Sequence, residues 1–231
     1  MRPAFFALAL VGAVACSDDA AQPIDAAVDG PAIDAPDAGP CGADVNLAGA
    51  YEDWDSTTGA FDGIEFATWT VRGTPGRTAM TAPNGRVGIC IASAGVTAID
   101  ATQAEYVPAI YLADPAVFVP PGAPVFQVKG LRTTRLEPFL TSIGVTRTAG
   151  TGLVLVQQMG TARALTLGGT HGPQFAVDDA LDITWTADGI GMLTLFTNVA
   201  PGQPTLGAAG AIVGPTALTV EADKLTITTI R

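Results

Sequence analysis

Short runs of Thr, Val, Leu and Ile recur from residue 41 onward, and each stops within a few residues at Gly, Pro, Asn or Asp. No long stretch carries the 3.6-residue apolar period of an amphipathic helix. A chain punctuated this way cannot build long packed helices. Its short strands bury one face each only by stacking sheet on sheet, which points to an all-β sandwich.

Several strands can be placed. Residues 153–156 (Leu153, Val154, Leu155, Val156) are apolar at both parities, as expected of a central strand covered on both faces. Residues 164–167 alternate, with Leu165 and Leu167 inward. Residues 224–230 alternate too, with Leu225 and Ile227 inward and Thr226 and Thr228 outward. Residues 192–197 form a strand closed by Asn198, and residues 66–71, 87–91, 96–101 and 106–111 read the same way. Pro108 has no amide hydrogen to donate, which assigns the last of these to a sheet edge.

One segment departs from the pattern. Leu136, Phe139, Leu140 and Ile143 fall at helical spacing. Thr134 and Glu137 have the spacing of a capping box, and Gly144 stands where a helix C-terminus favours glycine. The expected organisation is a first β-sandwich module over 41–125, a connecting segment with a short helix over 126–144, and a second module over 145–231.

The N-terminus is of another kind. Arg2 precedes an apolar run over residues 5–14, followed by Ala15 and Cys16. The run is shorter than the roughly 20 residues a membrane span needs, and it has the make-up of a secretory signal over 1–15. Residues 16–40 are rich in Ala, Asp, Pro and Gly, hold six aspartates, and lack aromatic and basic side chains. They cannot bury enough apolar surface to offset the entropy of ordering, so a disordered acidic tether is expected. The whole chain carries a formal charge of −11, which argues against nucleic acid and anionic membrane surfaces as partners.

Residues 13–16 (Ala-Val-Ala-Cys) resemble the lipobox of bacterial lipoproteins, with Ala13 where leucine is usual. The resemblance implies lipidation of Cys16 after cleavage and attachment to a membrane through that lipid alone. Ser17 rather than aspartate follows Cys16, which favours the outer membrane, on its periplasmic or cell-surface face. Farther on, Phe196, Asn198, Val199, Pro201, Gly202, Thr205 and Leu206 resemble the hallmark segment of carboxypeptidase regulatory-like (transthyretin-like) modules, with Pro204 in place of an aromatic. The turn at Pro83-Asn84-Gly85 resembles its counterpart in the first half. The resemblance implies two Greek-key sandwich modules that carry no catalysis.

Chemistry-bearing residues are few. His171 is the only histidine, so a zinc site of the metallocarboxypeptidase kind or a Ser-His-Asp triad would depend on it alone. Lys129 and Lys224 are the only lysines, and neither lies on an early strand as a Lys–Asn isopeptide crosslink requires. With Cys16 lipidated, Cys41 and Cys90 remain as an even pair in an oxidising compartment, and a disulfide between them is expected.

Glu52, Asp53, Asp55, Asp62 and Glu65 cluster and offer oxygen ligands for calcium, with Asp53, Asp55 and Asp62 as the candidates, though without EF-hand spacing. Asp178, Asp179, Asp182 and Asp188 form a similar group, and a carboxylate-dependent hydrolase would draw on Asp178 and Asp188. Of the three tryptophans, Trp54 stands between two aspartates and is the candidate for stacking on a sugar. Trp69 and Trp185 lie in strand-like runs that suggest the core. The expected function is non-catalytic, in binding or envelope structure, with an envelope polysaccharide or another envelope protein as partner. A calcium-dependent carbohydrate-binding module is the alternative.

Overall fold

The computed structural model describes residues 41–54, 62–74, 76–118, 125–177 and 184–231, which belong to one compact unit. The signal segment, Cys16 and the tether lie outside these residues. In chain order the elements are β1 (Val45–Asp53), β2 (Thr68–Val71), β3 (Thr78–Met80), β4 (Arg86–Ile91), β5 (Thr97–Thr102), β6 (Ala109–Ala113), β7 (Val125–Gly130), α1 (Thr133–Ser142), β8 (Gly152–Gln158), β9 (Leu165–Leu167), β10 (Gln174–Val177), β11 (Thr186–Ala187), β12 (Leu193–Val199), β13 (Leu206–Ala208) and β14 (Leu225–Ile230). The protein is all-β, with one α-helix among the described residues.

The strands form three sheets: β4-β1-β7, β11-β10-β12-β8-β14-β6-β5-β2-β3, and β13-β9. The long sheet runs through both stretches expected as separate modules. Its join is β14, which pairs in parallel with β6 on one side and with β8 on the other. β1 is likewise parallel to β7 and antiparallel to β4.

Side-chain alternation explains how one sheet serves two cores. Tyr111, Leu153, Leu155, Leu225 and Ile227 face the three-stranded sheet, where they meet Leu47, Tyr51, Ile89, Phe126 and Val128. Ile110, Leu112, Val154, Val156, Phe196 and Ile230 face the other way, onto Leu165, Leu167, Leu206, Leu218 and Val220. The centre of the first core is aromatic: Trp69 lies 5.6 Å from Tyr51, 5.9 Å from Tyr111 and 5.3 Å from Phe126 between ring centroids. Burial pushes the hydroxyls of Tyr51 and Tyr111 well above the ordinary tyrosine pKa.

Residues 153–156 are buried on both faces in β8, as their composition predicts. Two other expectations are corrected. β6 is an interior strand between β5 and β14 with all five residues buried, not an edge. Pro108 precedes its first residue, so the missing amide hydrogen falls outside the ladder, and the Pro108 carbonyl accepts from the Leu225 amide at 3.0 Å. Thr226 and Thr228 do not face solvent either. The second core covers them, and each hydroxyl donates to a carbonyl, Thr226 to Thr219 at 2.6 Å and Thr228 to Leu112 at 3.2 Å.

α1 confirms the expected helix, but the capping box is not used: Arg132 is the N-cap and no side chain caps the end. Gly144, at φ +74°, turns the chain out of the helix, and the Val145 amide returns to the Leu140 carbonyl at 2.8 Å. Gly85 is another position where glycine is obligatory. Its φ is +73°, and a Cβ there would lie 2.4 Å from the Tyr51 carbonyl oxygen.

A four-charge cluster ties the end of β2 to the start of β14. Arg72 makes a two-pronged contact with Asp100 at 2.8 and 2.6 Å and reaches Glu221 at 2.6 Å, while Lys224 bonds Glu221 at 2.7 Å. Hydrogen bonds from Arg72 and then Lys224 bring the Glu221 pKa down to about 2. Because the folded value lies below the unfolded one, this contribution is complete above about pH 4.5 and is lost as pH falls toward 2. Stability measured by denaturant titration is therefore expected to decline over that interval, and Glu221→Gln is expected to flatten part of the decline. The Glu221 side chain is 39% exposed, so the effect is expected to stay small and to weaken in salt.

Candidate functional site

Asn198, within the segment 196–206, is a structural clamp. β12 bulges between Phe196 and Val199, and Asn198 sits in the bulge at φ +48°, a conformation asparagine tolerates better than most residues. Its side-chain oxygen accepts from the Thr148 amide at 2.8 Å and the Thr151 hydroxyl at 3.3 Å, and its side-chain amide donates to the Thr146 carbonyl at 2.9 Å. Asn198 thereby fixes the loop that leads into β8. Asn198→Ala is expected to lower stability by about 2 kcal/mol, seen as a lower denaturation midpoint at unchanged slope. Asn198→Gly is expected to lose less, since it removes the bonds but keeps the backbone at ease.

Residues 168–170 and 199–205 border a cleft of about 330 Å³ beside this clamp, whose lining contains no titratable side chain. His171 stands next to it with both ring nitrogens against carbonyls, Nδ1 at 2.7 Å from Gly172 and Nε2 at 3.1 Å from Leu167. Its ring meets Phe196 edge to face. Neither nitrogen is left open for a metal or for a serine hydroxyl.

Asp53, expected as a calcium ligand, is buried and committed elsewhere. Its Oδ2 accepts from the Tyr106 hydroxyl and from Arg132 Nε, both at 2.6 Å, and Arg132 also lies over the Tyr106 ring. Burial and then the bond to Asp53 push the Tyr106 hydroxyl pKa up, and the bond to Asp53 does the same for Arg132. Asp62 is exposed and meets Asp53 through its backbone, its carbonyl accepting from the Asp53 amide at 2.8 Å. Asp55, Asp178, Asp179 and Asp182 lie outside the described residues, and Asp188 is exposed in a turn after β11. Among the described residues no three of His, Cys, Asp and Glu come together as a metal-holding group.

Glu52 presents a different arrangement. It is buried and faces Lys129 across the parallel β1–β7 pair, with Nζ 2.7 Å from Oε2. Its other oxygen, Oε1, is buried without a hydrogen-bond partner. The two residues are 77 positions apart, and neither carries a motif that links them in the sequence.

The expected disulfide is present: Cys41 and Cys90 are joined, with their Cα atoms 5.6 Å apart. Cys90 is half-buried at odd parity to Val87, Ile89 and Ile91 of β4, on the side away from the core.

The tryptophans divide otherwise than expected. Trp69 is wholly buried. Trp185 is only half-buried, because it precedes the two-residue edge strand β11 instead of lying within a covered strand. It stacks on Trp54 at 5.6 Å between centroids and 18° between planes. Phe139 of α1 closes the group edge-on, 5.2 Å from Trp54 and 5.8 Å from Trp185. All three pack against the first core and stay half-buried. Three separate elements, the end of β1, α1 and the approach to β11, thus place three rings side by side at the surface.

No protein-family model matches the chain, and no curated protein matches it. Among solved structures it is similar to the Bacillus anthracis TIE protein, at 10% identity and a TM-score of 0.28 over 80% of this chain and 33% of that one. It is also similar to a mutant of the shaft pilin SpaA from Lactobacillus rhamnosus GG, at 11% identity and a TM-score of 0.31 over 81% of this chain and 96% of that one. The chain spans about a third of the length of the first of these. Among the described residues no helix is long and apolar enough to cross a membrane.

Proposed function

We propose that the chain is an exported, lipid-anchored envelope protein whose β-sandwich body works by binding and not by covalent chemistry. Cys16 behind the apolar run 5–14 supports the anchor, and the acidic segment 16–40 would space the body from the membrane. One observation carries the non-catalytic half. Glu52, Asp53, Asp100 and Glu221 each sit against a Lys or Arg at 2.6 or 2.7 Å. A general acid or base must exchange its proton with a substrate, and a carboxylate already bonded to a fixed cation is poorly placed for that.

The anchor is tested by metabolic labelling with an alkyne-tagged palmitate. The wild-type chain is expected to take up label and to sediment with membranes, and Cys16→Ser to lose the label and appear in the soluble fraction. Full labelling of Cys16→Ser would refute the anchor.

A further inference from the structure

We infer that Trp54, Trp185 and Phe139 form a stacking platform for a neutral polysaccharide. This deepens the reading above, in which the body binds and does not react. The rings come from three elements, pack on the core at one side and remain partly open at the other. Indole and phenyl faces take up the C–H face of a pyranose ring, and an indole edge offers an N–H to a hydroxyl.

Size and charge select the occupant. Three half-buried rings present far less than the about 800 Å² per partner that a stable protein interface buries. The formal charge of −11 disfavours nucleic acid and anionic glycans. A neutral chain of pyranose rings fits both limits.

The test is affinity electrophoresis and intrinsic-fluorescence titration of the full chain carrying Cys16→Ser, which keeps it off membranes. The probes are a neutral β-glucan, a neutral mannan and the anionic polysaccharide alginate. At least one neutral polymer is expected to retard the protein and shift its emission, since Trp69 is sealed in the core and the two surface tryptophans report. Trp185→Ala and Phe139→Ala are each expected to weaken binding about fivefold to tenfold in variants shown by circular dichroism to be folded. Trp185→Phe, which keeps a ring and guards against misfolding, is expected to recover most of it. No retardation by either neutral polymer, retardation by alginate alone, or wild-type affinity in folded Trp185→Ala would each overturn the platform. Release of reducing ends from a bound polymer would instead overturn the non-catalytic reading, so the two failures are distinguishable.

Discussion

Replacing both Cys41 and Cys90 by Ala is expected to lower the stability of the folded body by about 4 kcal/mol. The bridge spans a sequence separation of 49 residues, and closing a loop of that size removes this much conformational freedom from the unfolded chain in the chain-entropy account. Its position strengthens the expectation. Cys41 lies ahead of β1, and the bridge ties that stretch of chain to β4. The local bonds there are few: the Asp44 amide to the Cys41 carbonyl at 3.1 Å and the Arg77–Asp44 ion pair at 2.6 Å. Beyond them the β1–β4 ladder begins at Val45 opposite Ile91, with Asn46 opposite Cys90. Denaturant titration with and without a reductant measures the effect directly. The oxidised wild type is expected to unfold at a clearly higher midpoint than both the reduced wild type and the double variant, and those two are expected to coincide. Equal midpoints in all three would show that the ladder alone sets the stability of this edge.

What the sequence disclosed follows from how local each signal is. Residues 153–156 announced a doubly covered strand because both parities are apolar, and the three-layered body buries β8 on both faces. The helix at 133–142 was readable from four apolar positions and a terminal glycine, although Pro138 lies inside it. Thr226 and Thr228 misled because alternation records polarity and not exposure. Threonine hydroxyls that donate to backbone carbonyls can occupy a core, and here Thr219 and Leu112 supply the acceptors. Pro108 misled by a single position, standing just before β6 and not inside it.

The surface aromatic group and the Glu52–Lys129 pair were hidden for a stronger reason. Both depend on which strands become neighbours, and the parallel partners of β1 and β14 are far apart in the chain. Trp54 stands out in the sequence by its acidic flanks alone. Its stacking on Trp185 and Phe139 needed the end of β1, α1 and the β11 edge to be brought to one place. Asn198 shows the converse: a residue prominent in the sequence whose side chain is spent on holding a loop.

Lys129→Ala is expected to destabilise the protein by about 3 kcal/mol, although lysine-to-alanine changes at surfaces ordinarily cost little. The asymmetry lies in the two exposures: the Glu52 side chain is 6% exposed and that of Lys129 22%. Removing the lysine strands a carboxylate where water does not replace the lost partner, and Oε1 is already unsatisfied. Removing the carboxylate is milder, because the longer lysine can swing its ammonium toward solvent. Glu52→Gln is accordingly expected to cost about 1 kcal/mol. The double replacement Glu52→Leu with Lys129→Met discards both charges and the orphaned oxygen together, and is expected to recover most of the stability lost in Lys129→Ala. Chemical denaturation of the wild type, Glu52→Leu, Lys129→Met and the double replacement, analysed as a double-mutant cycle, measures the coupling. If Glu52→Leu and Lys129→Met cost the same and the double change costs their sum, the pair is two independent surface charges. A cost concentrated in Lys129→Ala and relieved by the double change would identify Glu52 as a buried charge that the sheet tolerates only because β7 delivers a cation to it.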